Sequence, residues 1–589
     1  MTPFIILAPL IAAILIIALN KSYKNAKYVA IGASALSLAL YPLAGSGVQS
    51  TTWFSIGKLS LTLTTSVMPL NALLLQIVLV IGILIMVYSA GFMDLPSEQR
   101  RYYTEMLAFE AAMLTFAMAG DFIVLFIAWS FLSLTSYMLI GFWYDREKAI
   151  AAARKAITIV FIGDIALLAS IVMFQNIFGS LQFSTIISGI ASGGNAIVLP
   201  AALLFVAVMA KSAQFPLQEW LADAMEGPTP VSAYLHSSTM VKAGVFVTFV
   251  LLPLFQAAGM LQAIVIIGAV TVAIAIFAAT TENHIKRVLA YSTVEELGLM
   301  LIAVASNALL AAVYFFFTQS FYKALLFFSA GGSIKANGSE DLRDVAGLKN
   351  NRLLYITTLF GVLSLAGFIP FGGFFANVGL DSAFSTNLIA YALISIVSLT
   401  TSFYIFRWLF LQTKKSGGKR GELNHAAMPR SMTYSMAILA FGALASSVVF
   451  FTSGLSQAVG GTSAGMNLTL MHAVIETVLV TAGAVAGYAI YRQKKASRLK
   501  NVQPERLMHA VYTATIVNAA YTHIAGFVEA IAVAMEYLDI KLNSLFDWFG
   551  HVTIRAAGGA RRFASGSINA YVALFAIGML VLVIVMVTA

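Results

Sequence analysis

The chain contains no cysteine. That excludes disulfides and thiolate-ligated iron–sulfur clusters within it. Charge is scarce too, at 10% of residues, against about 25% in soluble domains. What fills the space is apolar: the hydrophobic fraction is 60% and the mean hydropathy is +0.88. Apolar runs of about 20 residues, enough to cross a ~30 Å hydrocarbon core, recur along the whole length. A polytopic helical membrane protein follows. No A-x-A-like cleavage site comes after the apolar residues 4–18, so they read as a retained first span and not as a signal peptide.

Hydropathy marks spans near 3–19, 28–45, 67–91, 104–119, 121–143, 152–175, 197–217, 229–252, 259–279, 285–305, 308–334, 353–376, 387–411, 432–453, 468–491 and 568–588. The net charge of +10 gathers in alternate connections: 20–27, 92–103, 144–155, 280–287, 335–352, 412–430 and 492–506. Connections 176–196, 253–258, 377–386 and 454–467 hold no Lys or Arg, and 46–66 holds Lys58 alone. Basic connections stay on the cytoplasmic side, so the N-terminus is expected outside, and about sixteen crossings return the C-terminus there. No basic patch is interleaved with exposed aromatics, which argues against nucleic acid as a partner.

Two segments do not fit a span. Residues 51–65, TTWFSIGKLSLTLTT, alternate polar and apolar around Gly57-Lys58 and read as an outer β-hairpin. Residues 503–565 are mixed in polarity at helical spacing, which suits an amphipathic helix lying along the membrane or a partner's flank. A seventeenth span at 512–535 is the alternative, and it would place His523 and Glu529 in lipid.

An ionisable side chain at mid-membrane is costly and points to function. Here Glu110 falls in the fourth span, Asp164 in the sixth, Lys211 in the seventh, His236 and Lys242 in the eighth, Glu295 and Glu296 in the tenth, and Lys323 in the eleventh. A buried lysine can take up and release a proton near neutrality, so such a row with water between its members would be a proton relay. Each has a plainer reading. Glu110 could be an interhelical salt-bridge partner, Asp164 could pair with Lys211 or Arg154, and a lone histidine is often a satisfied core residue. Adjacent helical residues face about 100° apart, so only one of Glu295 and Glu296 is expected to point at a shared channel.

The stretch 211-KSAQFPLQEWLADAMEGPTPVSAYLHSSTMVKAG-244 adds helix breakers to the charges, with Pro216 just after Lys211. Pro370, in 367-GFIPFGGFF-375, interrupts the twelfth span. Proline removes a backbone donor, which a membrane tolerates only where water or protein supplies replacements. Two broken helices five spans apart suggest two inverted five-helix repeats, spans 4–8 and 9–13, and a transport site between them. The expected parts are therefore the first three spans with the outer hairpin (1–103), two half-channels (104–257 and 258–412), spans 14 and 15 (413–502), the lateral helix 503–565, and a final span (566–589).

The 211–244 stretch, with IKRVLAYSTVEELG and FYKALLFFSAGG, resembles the antiporter-like membrane subunits of respiratory complex I. It is also similar to their relatives in Mrp-type cation/proton antiporters and membrane-bound hydrogenases. The resemblance covers roughly residues 1–455, and the tail resembles that of the distal pumping subunit with its lateral helix. It implies proton translocation through two linked half-channels. Lys211 matches the lysine of broken helix 7, His236 the span-8 histidine of the distal subunit, and Lys242 the lysine other members place there. Lys323 matches the central lysine of the second half-channel and Asp164 the span-6 aspartate.

Four positions depart from the family. Its helix-5 glutamate follows a tryptophan, but here Trp129 precedes Ser130. Phe315 and Gln319 stand where the distal subunit has histidines, and Asn377 stands where the family has Lys or Glu on broken helix 12. Glu110 is expected to replace the missing carboxylate beside Lys211, and Glu295 or Glu296 to take over near Lys323. Asp381 is expected either to serve the exit or to be an ordinary outer-loop charge.

The resemblance implies a subunit of an ion-translocating oxidoreductase in the cytoplasmic (inner) membrane of a prokaryote. It would hold no redox cofactor and do no redox chemistry itself. Its partners would be neighbouring membrane subunits met along the lateral helix, the membrane lipid, and protons or sodium as cargo. The alternatives are a Mrp-type sodium/proton antiporter subunit, whose matching chain usually runs longer, and a non-conducting scaffold.

Overall fold

The computed structural model describes residues 2–18, 25–56, 59–385, 387–414, 428–452, 454–460 and 469–491, with Tyr537, Lys541 and Ser544. Residues 1–502 cluster as one unit and 503–589 as a second. The expected lateral helix 503–565, its alternative at 512–535 and the span 568–588 lie outside the described residues, those three positions apart.

The chain enters through α1 (Thr2–Ala18) and α2 (Ala26–Leu40). Strands β1 (Gly47–Ile56) and β2 (Leu59–Val67) pair antiparallel from Gly47↔Val67 to Ile56↔Leu59, with an irregularity at Thr52/Phe54. The helices α3 (Pro69–Phe92) and α4 (Pro96–Ala117) both begin on proline, tolerated there because the first turn's N–H groups lack helical partners anyway. Next come α5 (Phe122–Ile140) and α6 (Glu147–Phe178). The hairpin is fastened to the α4–α5 turn: Gly120 N donates to Thr64 O at 2.9 Å and Ser66 N to Met118 O at 2.8 Å. Asp121 caps α5, accepting from Ile123 N at 2.9 Å and Val124 N at 2.7 Å, and also accepts from Thr64 N.

The stretch 176–196, expected as a connection, is largely helical. Most of it is α7 (Phe183–Gly193), ahead of α8 (Val198–Lys211). Then come three short pieces, α9 (Glu219–Asp223), α10 (Thr229–Ser237) and α11 (Lys242–Val250), followed by α12 (Leu252–Ala257). The second half runs through α13 (Leu261–Thr281), α14 (Ile285–Ala305), α15 (Leu309–Asn337), α16 (Arg352–Ala366), α17 (Gly372–Phe384) and α18 (Leu388–Gln412). The described part ends with α19 (Arg430–Val449), α20 (Gly454–Ala458) and α21 (Leu470–Tyr491).

Large apolar side chains face outward as well as inward. On α6 the residues Phe161, Ile165, Leu168 and Val172 form an exposed stripe at helical spacing, while Asp164 is buried. That is the pattern of a helix with lipid on one side and protein on the other. The helices α10, α11 and α14 lie at the centre, almost every residue buried.

Among the described residues, eleven helices are long and apolar enough to span a membrane. The other expected spans are the short α1, α4 with its polar first turns, and the interrupted pairs α10/α11 and α16/α17. The eighth span was expected to run unbroken over 229–252. It breaks at residues 238–241, where Thr239 Oγ1 donates to Tyr234 O at 2.7 Å and Val241 O accepts from Ser212 Oγ at 2.7 Å. Hydroxyls there do what proline does at the other two breaks.

Candidate functional site

The first break starts at Lys211 itself, the last residue of α8. Pro216 follows four residues into non-helical chain, after a cis peptide bond. The freed backbone groups are met by protein: Phe215 N donates to Thr271 Oγ1 at 3.0 Å, Gln214 N to Met209 O at 2.8 Å, and Trp220 Nε1 to Ala210 O at 2.9 Å. A Cβ on Gly244 would lie 2.4 Å from Ser212 Oγ and 2.7 Å from Val208 O. Only glycine lets α11 approach the end of α8 so closely.

The Lys211 ammonium is fully buried and points back at α5. It donates to Trp129 O at 2.9 Å and Ser133 Oγ at 2.5 Å, and lies 4.8 Å from the Trp129 ring centroid. Asp164 Oδ1 is 3.7 Å away, and its Oδ2 accepts from Ser133 Oγ at 2.7 Å. So Ser133, not the half-buried Ser130, stands between amine and carboxylate, and the carboxylate comes from α6. Glu110 does not fill that role. It is buried on α4, accepts from Ser34 Oγ at 2.6 Å, and no ion pair to it is recorded among the described residues. Its other oxygen faces the Gly82 and Tyr234 neighbourhood. The reason is packing: α4 lies against α1, α2 and α3 as well as α5, and Glu110 is turned toward them.

Lys242 opens α11 after the second break. It donates to Phe316 O and Ser320 Oγ, both at 2.5 Å, and so joins the first half to α15. His236, on α10, packs against Phe327 in a tilted pair with centroids 5.0 Å apart. Among the described residues neither of its ring nitrogens has a hydrogen-bond partner, nor has Ser232 Oγ or Gln319 Oε1. Buried polar atoms left this way are commonly met by water.

Lys323 donates to Ser292 Oγ and lies 3.0 Å from Glu296 Oε2. Glu296 also accepts from Tyr322 Oη at 2.9 Å and Gln319 Nε2 at 3.2 Å. Glu295 turns to α18 and accepts from Thr401 Oγ1 and, at 2.8 Å, from Tyr404 Oη. Both glutamates nevertheless line one narrow cavity, with Phe315, Asn377, Ser398 and Thr401. Expecting only one to reach it underrated the length of the glutamate side chain. At about 10 Å³, it has room for about one water.

At the third break α16 ends at Ala366, Gly367 adopts a left-handed φ of 83°, Pro370 follows a cis peptide bond, and helix resumes at Gly372. Asn377 Nδ2 donates to Glu476 Oε1 on α21 at 2.6 Å. A Cβ on Gly367 would lie 2.7 Å from that nitrogen and 2.9 Å from that oxygen. Asp381 lies within α17 and is fully buried, so it is not an outer-loop charge. Glu476 is the residue that the sequence reading passed over. Its signal was present, a lone carboxylate in the apolar run LMHAVIETVLV.

Outside the apolar layer the charges pair conventionally. Lys155 reaches Asp223 at 2.8 Å, and Arg287 reaches Asp223 and Glu226 at 3.4 and 3.5 Å. Glu340 takes Lys286 at 2.8 Å and His284 at 3.1 Å. No group of three or more His, Asp or Glu that could hold a metal occurs among the described residues.

With this geometry in view, the family described as NADH:quinone oxidoreductase/Mrp antiporter, TM, matches residues 119–403, and the complex I chain 5 N-terminus family matches 53–103. The F(420)H(2) dehydrogenase subunit L of Methanosarcina mazei is 30% identical over 606 residues, covering 91% of this chain and 89% of that one. The chain belongs to this antiporter-like family. Subunit L of the NADH-quinone oxidoreductase of Mycobacterium tuberculosis is 33% identical, with 78% of this chain and 75% of that one covered. The NAD(P)H-quinone oxidoreductase chain 5 of Synechocystis is 35% identical, and the match spans 57% of its length. In fold, the chain resembles one in the membrane-bound sulfane sulfur reductase, described as an archaeal respiratory membrane complex. The TM-score is 0.75 at 20% identity, over 99% of both chains. It also resembles one in the Mrp complex from Dietzia, with a TM-score of 0.73 at 22% identity, over 91% of this chain and 63% of that one.

The segment shared with the antiporter-like family includes Asp164, Lys211, His236, Lys242, Glu295, Glu296, Lys323, Asn377 and Asp381. Glu110 and Glu476 fall outside both matched segments.

Proposed function

We propose that this chain translocates protons as an antiporter-like subunit of a redox-driven, complex I-like membrane complex. The reading rests above all on one observation. Three fully buried lysines, Lys211, Lys242 and Lys323, follow one another through the centre, each held by a serine hydroxyl on a neighbouring helix. Two of them stand at helix breaks. Buried amines resting on hydroxyls and carboxylates suit proton transfer in short steps.

Protons enter the first half by Asp164, Ser133 and Lys211, cross by Lys242, and reach Lys323 and the glutamates of α14. The two halves, 104–257 and 258–412, act as inverted repeats. His236, with free ring nitrogens beside Lys323's helix, serves between them. Glu110 belongs to a side branch through Ser34. The chain holds no redox cofactor; electrons move in partner subunits, met in part through 503–565. It sits in a prokaryotic cytoplasmic membrane with its N-terminus outside.

Lys211→Ala in the parent complex, reconstituted in vesicles, tests this. Proton translocation is expected to fall at least about tenfold while the complex still assembles. Unchanged translocation would leave the chain a scaffold. A gradient that depends on sodium in the same assay would favour antiporter-type exchange.

A further inference from the structure

The family's charge on broken helix 12 is absent at Asn377, yet a carboxylate is present in the same space. We infer that Glu476, on α21, together with Asp381 on α17, forms the terminal proton-accepting site of the relay, in place of a side chain on the broken helix. The inference rests on the proton-relay reading and adds its last step.

Four observations meet here. The Asn377 amide donates to Glu476 Oε1 at 2.6 Å, so the amide orients a carboxylate that comes from another helix. Asp381 and Glu476 are both 0% exposed. Among the described residues neither Asp381 oxygen has a hydrogen-bond partner, Glu476 has only the Asn377 amide and the Ser398 hydroxyl beside it, and no Lys or Arg pairs with either residue. Third, the cavity lined by Glu295 and Glu296 extends to Asn377 and Ser398, so it runs from the Lys323 cluster to the residue that holds Glu476. Last, Tyr391 on α18 lies close enough to feel both charges. Its ring packs against His472, one turn before Glu476, with centroids 6.0 Å apart. His472 is half-buried at the start of α21.

The groups facing this site are therefore Glu295 and Glu296 from α14, Asn377 and Asp381 from α17, Tyr391, Ser398 and Thr401 from α18, and His472 from α21. All are neutral or acidic apart from the histidine. Two carboxylates in such a place, with no cation beside them, cannot both stay ionised, and one proton shared between them balances the site. A proton leaving Glu295 or Glu296 crosses the cavity through water and binds Glu476. Glu476 passes it to Asp381, which releases it toward Tyr391 and His472. Only O–H bonds form and break, and both carboxylates return to their starting state. A purely structural role would need neither the unpartnered oxygens nor the cavity.

The test uses the whole parent complex in vesicles, with acidification and redox turnover recorded together. Glu476→Gln keeps an oxygen to accept from Asn377 but cannot take up the proton. Translocation per turnover is expected to fall at least about tenfold. The double change Glu476→Gln with Asn377→Glu moves the carboxylate across the same hydrogen bond and is expected to restore it. Asp381→Asn leaves the Asn377–Glu476 bond in place, and serves where the first variant does not assemble; it too is expected to lower translocation. If Glu476→Gln and Asp381→Asn translocate like wild type while Lys211→Ala does not, the terminal site is elsewhere and this inference falls alone. If Lys211→Ala also translocates normally, the relay reading itself falls.

Discussion

The three lysines at the centre, Lys211, Lys242 and Lys323, have the same company at the scale of one side chain: a serine hydroxyl, and either a helix carbonyl or a carboxylate. Lys211 rests on Ser133, Trp129 O and Asp164, Lys242 on Ser320 and Phe316 O, and Lys323 on Ser292 and Glu296. An ammonium that left water without such partners would cost several kcal/mol, so the hydroxyls make the amines tolerable, and in the relay proposed above they are also the next stop for a proton. At the water-facing side the same chemistry serves stability. Burial alone would raise the Glu340 carboxyl, but the His284 hydrogen bond and the Lys286 charge prevail and hold it at about 2. Because the folded value lies below the ordinary 4.5, the bridge's contribution is full above that pH. It is lost as pH falls from about 4.5 toward 2. Glu340 is partly exposed, so screening limits the gain to under about 1 kcal/mol. Glu340→Gln should therefore lower the melting temperature at pH 7, and the gap to wild type should narrow as the pH drops from 5 to 3.

Helices decide which of these groups meet. The breaks at Pro216 and Pro370 were legible because proline removes a donor whatever surrounds it. The break after Ser237 was not, since serine and threonine also occur inside helices, and what holds this break open includes a distant hydroxyl, Ser212 Oγ, which donates to Val241 O. Depth in the membrane was likewise readable for Lys211, Lys242 and Lys323, because apolar runs flank them. Partnership was readable only in part. Pairing of Asp164 with Lys211 was one of two expected pairings and is found, but Glu110 was expected beside Lys211 too, and only the packing of the helices shows that it turns away. Glu476 was legible by the same rule as the others, but it lay outside the stretch that held the motifs. Element packing also makes a sharp forecast. A Cβ on Gly373 would stand 1.7 Å from Ser364 O, whereas one on Gly32 meets nothing within 4 Å. Gly373→Ala must push two backbones apart across the third break and should cost more than about 3 kcal/mol. Gly32→Ala, within α2, should be neutral or stabilising by up to about 1 kcal/mol. Melting curves of the detergent-solubilised complex would separate them.

At the scale of the whole molecule, Lys242 is the junction between two clusters that otherwise touch different helices. Lys242→Met keeps most of the volume and removes the amine. If the halves work in series, translocation should fall to the level of Lys211→Ala with the complex intact. If they conduct independently, a substantial fraction should persist, and proton counts per redox turnover would tell the two apart. The hydrogen bond between Asn377 and Glu476 has a consequence for how such proteins are compared. It joins positions 99 apart in the chain, one inside the segment shared with the family and one beyond it. A column-by-column survey of that segment would score this chain as having forfeited its outlet. A survey by location in space would find the acid still there, lent by a neighbouring helix, and would class the chain with the intact pumps.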